Sequence, residues 1–201
     1  MRNELTSILM ILDRSGSMSP LADDVVGGYN SFIAQQKAEP GDAVVTLVLF
    51  DHNYEVVYDA RPIARVEPLT KKVYSPGGTT ALLDAVGRGV QDLGTKLAAM
   101  EESDRLGKVI VVIMTDGQEN ASSDFTRDQV KKLVADQKTN GWSFLFMGAN
   151  MDAFAEAKKI GIERSCTASW VSTGAGVRHS LGLISGCVAA FRTGNWRGFG
   201  N

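Results

Sequence analysis

Val109-Ile110-Val111-Val112-Ile113-Met114 is an unbroken apolar run, mostly β-branched, with no polar residue at either alternation. A strand of that kind has no face to offer water, so it belongs in the middle of a sheet covered on both sides. Ser7 to Leu12, Val44 to Phe50, Tyr54 to Tyr58, Ser143 to Met147 and the weaker Thr167 to Val171 read as further strands, and helix-like stretches alternate with them. The pattern predicts an α/β domain, a mainly parallel sheet between two helical layers.

Asp51-His52-Asn53 leaves only a hairpin's length between two of these strands, so Tyr54 to Tyr58 should run antiparallel at an edge. Ser19-Pro20 reads as an N-cap with a first-turn proline, ahead of Leu21, Val25, Tyr29, Phe32 and Ile33 at helical spacing. Gly27-Gly28 costs that helix about 1 kcal/mol per residue, which predicts close packing on the sheet as its reason. Pro76-Gly77-Gly78 breaks the chain before the amphipathic run Ala81 to Leu97. Helices over about 128–139, 152–160 and 176–191 complete the alternation, and Arg192 to Asn201 reads as a frayed tail.

With 201 residues, 44% of them hydrophobic, the chain is sized for one core, and the expectation is a single domain over 1–201. A net charge of −2 with no basic block argues against nucleic acid as a partner. The apolar stretch before Asp13 is too short for a signal-peptide core or a bilayer span, so the expectation is a soluble, cytoplasmic protein without membrane contact. Cys166 and Cys187 lack metal-ligand spacing and read as reduced, buried residues. Trp142, Trp170 and Trp196 read as packing or tail aromatics, with Trp196-Arg197 as a docking peptide the alternative.

Chemistry gathers at three loops. Asp13-Arg14-Ser15-Gly16-Ser17 follows the first strand, Gly77-Gly78-Thr79-Thr80 precedes a helix, and Thr115-Asp116-Gly117 ends the central strand. If the strands ending at Leu12 and Thr115 are neighbours, Asp13 and Asp116 share the crevice where strand order reverses. Asp13, Ser15, Ser17, Thr79 and Asp116 then form an oxygen-only set that suits Mg²⁺, Mn²⁺ or Ca²⁺ and suits Zn²⁺ badly. Thr79 is preferred over Thr80 because it follows the glycine pair directly, which leaves Thr80 as a helix N-cap. Taken singly, Asp13 to Ser17 is also a helix cap and Asp116-Gly117 a turn. Glu119 and Asn120 stay unassigned between rim and solvated loop, while His52 and His179 read as surface residues.

These three segments, in this order and at these spacings, resemble the metal-ion-dependent adhesion site of the von Willebrand factor A domain family. The resemblance covers about residues 5–172 and leaves a helix and tail over 173–201. It implies a three-layer, Rossmann-like α/β/α fold, with a six-stranded sheet, one antiparallel edge strand and a divalent ion at the top. Asp13, Ser15 and Ser17 would surround that ion, with Thr79 and Asp116 binding directly or through water. Asp13-Arg14-Ser15-Gly16-Ser17-Met18 and Thr115-Asp116-Gly117-Gln118-Glu119-Asn120 look most like small stand-alone bacterial and phage members. The resemblance further implies that the last helix, about Gly176 to Phe191, moves as ligand binds.

Two carboxylates at most balance a divalent ion, so an anionic oxygen is the natural partner on its open side. The reading is a non-enzymatic, Mg²⁺-dependent module that binds an Asp or Glu side chain of another protein. One alternative is a structural or assembly protein in which the metal only braces the sheet. The other is a Mg²⁺-dependent phosphate-ester hydrolase with Asp13 as nucleophile, which lacks a nearby lysine and a clear base. The sequence sets no oligomeric state.

Overall fold

A computed structural model of the chain describes residues 2–101 and 106–199. Six strands form one sheet: β1 (Arg2–Asp13), β2 (Ala43–Phe50), β3 (Tyr54–Pro62), β4 (Leu106–Thr115), β5 (Ser143–Gly148) and β6 (Thr167–Ser169). Their spatial order is β3-β2-β1-β4-β5-β6, and only the β2–β3 hairpin is antiparallel. Five helices cover it: α1 (Ala22–Ala38), α2 (Leu82–Ala98), α3 (Arg127–Thr139), α4 (Ala153–Lys159) and α5 (Gly174–Arg192).

The pleat divides the core in two. Ile8, Met10 and Leu12 of β1 point, with Ile110, Val112 and Met114 of β4, into a layer closed by α1 and α5. Leu9 and Ile11, with Val109, Val111 and Ile113, point to the other face, where α2, α3 and α4 pack. This period of two, apolar at both parities, is why the central strands carry no polar residue between Ile8 and Leu12 or between Val109 and Met114. Chain order runs outward from β1 in both directions, to β2 on one side and β4 on the other, so a crevice opens at their carboxyl ends.

Several local expectations are corrected. Ser19-Pro20 does not start α1, because Gly16–Leu21 is a 3₁₀ turn with Pro20 inside it, exposed, while Met18 and Leu21 of the same turn are buried. Gly28 packs on α5 rather than on the sheet: a Cβ there would stand 2.5 Å from Leu181 Cδ1, while one at Gly27 would meet nothing within 4 Å. β6 stops at Ser169, and Val171 is 70% exposed. Arg192 is buried, and Trp196 and Phe199 stack edge to face against the α1–α5 layer, so the tail is packed as far as residue 199. The end of that frayed-tail expectation, Gly200 and Asn201, lies outside the described residues. Cys187 is buried as expected, but Cys166 is only half-buried; both are free thiols. Among the described residues, no helix is long and apolar enough to cross a membrane.

The two adjacent glycines should therefore respond oppositely to the same change. Gly27→Ala gains helix propensity and is expected to stabilise by up to about 1 kcal/mol. Gly28→Ala must displace the buried Leu181 and is expected to cost about 1–2 kcal/mol net; urea unfolding of the two variants checks both signs.

Candidate metal centre

Backbone hydrogen bonds draw the crevice loops together before any side chain is considered. Gly16 N–H donates to the Gly78 carbonyl (3.0 Å) and Gly77 N–H to the Arg14 carbonyl (2.9 Å), which lays the loop before α2 on the loop after β1. Arg14 N–H donates to the Phe50 carbonyl (2.7 Å) and Ala81 N–H to the Asp51 carbonyl (2.9 Å), which brings in the hairpin. Thr80 and Asn120 close the ring, Asn120 N–H donating to the Thr80 carbonyl (3.0 Å) and Thr80 N–H to Asn120 Oδ1 (2.9 Å). Gly78 is required here, with φ +71° and the His52 ring lying where its Cβ would be.

Within this frame the side chains form a chain of oxygens. Asp13 is fully buried; its Oδ1 accepts the Ser15 N–H (2.6 Å) and its Oδ2 the Thr115 hydroxyl (2.5 Å). Ser15 Oγ and Ser17 Oγ lie 3.2 Å apart, and Ser17 donates to Asp116 Oδ1 (2.5 Å). Asp116 Oδ2 is buried and has no hydrogen-bond partner. Four of the five residues expected at the site, Asp13, Ser15, Ser17 and Asp116, are thus directly linked. Thr79 sits in the adjoining loop, exposed, its hydroxyl unpaired among the described residues. Thr80 is buried beside Gly117, whose Cβ would stand 3.1 Å from Thr80 Oγ1 and 3.8 Å from Ser17 Oγ.

Burial dominates the electrostatics. It pushes Asp13 up to about 6 against the lowering effect of its hydrogen bonds from Thr115 and Ser15, and it raises Asp116 as well. Arg14, the nearest cation in sequence, does not neutralise them. Its guanidinium turns to the hairpin, with Nε on Asp51 Oδ2 (3.1 Å) and Nη1 on Glu55. An unpaired buried carboxylate oxygen next to two hydroxyls and a second desolvated carboxylate is a destabilised arrangement as it stands, and a divalent cation would offset it. Among the described residues no three His, Cys, Asp or Glu side chains gather as a metal group, so hydroxyls must share the coordination with the two carboxylates. Such hard oxygen donors fit Mg²⁺ or Mn²⁺.

The contacts that other residues make at the centre could not be read from the sequence. Thr115 faces Asp13 because β1 and β4 pair with Leu12 beside Met114, a register that spacing alone does not reveal. Tyr74, 1% exposed, donates its hydroxyl to the Asp13 carbonyl (2.6 Å) from the segment just before Pro76-Gly77-Gly78. Thr80 is not the cap of α2, which Ala81 precedes. The free N–H groups of Leu83 and Asp84 are taken by Glu119 Oε2 (2.8 Å) and Ser122 Oγ (3.1 Å). Glu119 also accepts from Ala121 and Ser122 N–H, which commits its carboxylate to the loop. His52 is exposed, its Nδ1 3.2 Å from Asp51 Oδ1, at the crevice mouth.

The family model for the von Willebrand factor type A domain matches residues 7–177. No curated protein matches the chain. Solved structures with this fold include proximal thread matrix protein 1 from the mussel byssus with a zinc-occupied metal-ion-dependent adhesion site (TM-score 0.61, 14% identity, covering 92% of this chain and 46% of that one). Manganese-loaded TRAP protein of Plasmodium vivax superposes with TM-score 0.62 at 15% identity, covering 92% and 73%. The von Willebrand factor domain of the pilus tip protein Mfa5 from Porphyromonas gingivalis does so with TM-score 0.64 at 12% identity, covering 98% of each chain. The present chain thus spans about half the length of the mussel protein.

The unpaired oxygen makes a checkable difference to stability without metal. In chelator, Asp116→Asn removes a buried charge and should raise unfolding stability by about 1–2 kcal/mol, whereas Tyr74→Phe strands the Asp13 carbonyl and should lower it by about 1–3 kcal/mol. Denaturant titrations of both variants read the opposite shifts.

Proposed function

The chain belongs to the von Willebrand factor type A domain family, and from that premise we propose that it is a metal-dependent protein-interaction module. Asp13, Ser15, Ser17 and Asp116 hold a divalent cation, Mg²⁺ by preference, at the top of the sheet, and Thr79 reaches it from the adjoining exposed loop. The single observation that carries this reading is the buried, partnerless Asp116 Oδ2 at the end of the Asp13–Ser15–Ser17–Asp116 chain. An oxygen so placed, beside two hydroxyls and a second buried carboxylate, would gain directly from a bound cation.

The cation supplies a Lewis-acidic position that accepts an anionic oxygen. The protein's own residues decide what can use it. Both Asp13 oxygens are engaged, by Ser15 N–H and by Thr115, so Asp13 is a fixed charge rather than a mobile nucleophile. Both ring nitrogens of the nearby His52 face its own hairpin, Nδ1 towards Asp51 Oδ1 (3.2 Å) and Nε2 towards the Asn53 amide (3.0 Å), and neither is bonded to Asp13. The exposed Thr79 and the open rim around it suit an incoming side chain, and a partner's Asp or Glu fits the charge balance. Mg²⁺ sheds water reluctantly, so affinity depends on the surrounding surface as well as on the metal. Zinc in the mussel protein and manganese in the Plasmodium protein belong to those proteins; they support a divalent ion here without selecting one.

Two measurements test the reading. Mg²⁺ at about a hundredfold excess over its dissociation constant should stabilise the wild type by about 2.7 kcal/mol and leave Asp13→Ala and Asp116→Ala unmoved. Pull-down from native lysate should retain a partner with wild type in Mg²⁺, and lose it in chelator, with Asp13→Ala, or on competition with a Glu-containing peptide. Equal retention in every condition would reduce the metal to a brace, and absence of any Mg²⁺ effect on stability would remove it altogether.

A further inference from the structure

A groove of about 670 Å³ runs between α3 and α4, on the β5–β6 side of the sheet. Its floor is apolar, with Ile162 buried and Phe154 half-buried, and three exposed cations stand around it: Lys131 of α3, Lys158 of α4 and Arg164 of the turn before β6. On the same two helices the other cations are spent on acids. Arg127 and Lys159 pair with Glu156, Lys132 with Asp136 and Lys138 with Glu163. Lys131, Lys158 and Arg164 have no acidic partner among the described residues. Of the two acids on the rim, Glu163 is held by Lys138, and Asp152 caps α4 by accepting the Ala155 N–H (3.0 Å). The chain as a whole carries −2, so this positive face is local. Two of its cations are also held in place. The Arg164 guanidinium lies over the Phe154 ring, 4.1 Å from its centroid, which sets its plane and leaves its edge to a carboxylate. Lys131 lies across Gly161, at φ +82°, where a Cβ would stand 3.3 Å from Lys131 Cγ.

We propose that this groove binds a short acidic segment of a partner protein, with Asp or Glu side chains on either side of an apolar residue. The proposal goes beyond the metal-centre reading and does not rest on it. The three cations stand on three different elements, so they call for separate carboxylates spaced along a chain rather than for one concentrated anion. The apolar floor between them takes the side chain that separates those carboxylates. Exposed ion pairs contribute little one at a time, so the hold comes from several together. Arg164 is the anchor, because a planar guanidinium takes a carboxylate at two points and the Phe154 ring has already ordered it. Side chains ordered before binding lose less entropy when the partner arrives.

Amide NMR shifts of the isotope-labelled full chain decide it, recorded in chelator during titration with the peptide Glu-Glu-Leu-Glu-Glu, its Gln-Gln-Leu-Gln-Gln counterpart, or inorganic phosphate. The expected result is saturable shifts from the acidic peptide at Lys131, Phe154, Lys158 and Arg164, lost at about 1 M salt and absent with the Gln peptide. Arg164→Gln should weaken binding about tenfold, and Lys131→Gln and Lys158→Gln about threefold each. Phe154→Leu keeps the apolar floor but removes the platform under Arg164, and should weaken binding about threefold. None of these side chains is buried, so the variants should fold, and unmoved shifts away from the groove check that they do. No shift at the groove, or equal shifts with the Gln peptide, overturns the proposal, as does unchanged affinity in Arg164→Gln. Unchanged affinity in Phe154→Leu overturns the platform. Phosphate moving the same amides while the acidic peptide leaves them in place makes this a small-anion site and overturns the peptide. Because the titration is run without metal, failure here leaves the metal-centre reading intact, and failure of Mg²⁺ to bind leaves the groove standing.

Discussion

Everything at the candidate centre depends on the parallel pairing of β1 with β4. Leu12 lies beside Met114 in that ladder, so both strands end at the same height and release Asp13, Thr115 and Asp116 into one crevice. The pairing is held by two apolar layers at once, because alternate residues of both strands feed opposite cores. No local change at the loops can shift this register without turning buried side chains toward the wrong face. The carboxylates are therefore placed by hydrophobic burial, well before any charge interaction.

That placement sets an electrostatic problem that the chain leaves partly unsolved. Asp13 is desolvated but well bonded, and Asp116 keeps one oxygen with no partner, while Arg14 is spent on Asp51 and Glu55. A fold selected for stability alone would turn that arginine inward or replace a carboxylate. On the function proposed above, that unpaired oxygen is kept for the cation. Stability is supplied elsewhere, by the buried layers and by the loop-to-loop hydrogen bonds that make the rim rigid.

Both ends of the sheet leave a buried polar atom open. At the top it is Asp116 Oδ2; at the lower end of the α1–α5 layer it is Arg192 Nε, although the rest of the Arg192, Gln36, Ser185 and Lys108 cluster is bonded and ties α1, α5 and β4 together. Since α1 leads directly out of the Asp13–Ser17 loop, fixing its far end also steadies the loop.

The strand runs, the hairpin, the alternation with helices and the Asp-x-Ser-x-Ser, Gly-Gly-Thr and Thr-Asp-Gly segments are legible along the chain, because burial on both faces and tight turns at loop ends leave local marks. Gly28, Tyr74, Thr115, Glu119 and Arg192 are not legible in the same way. Each acts on a residue remote in sequence, Leu181, Asp13, Leu83 or Gln36, and no periodicity records such a meeting. Even the start of α1 escaped, since a Ser-Pro pair marks a helix entrance equally well whether the first turn is α or 3₁₀. By itself the sequence determined which segments must be buried, and hence the sheet and the loops that carry the oxygens. Only the tertiary structure decided which carboxylate oxygen is left unpaired and which side chains tie α5 to α1, because both depend on the register between strands and on side chains that meet across the core.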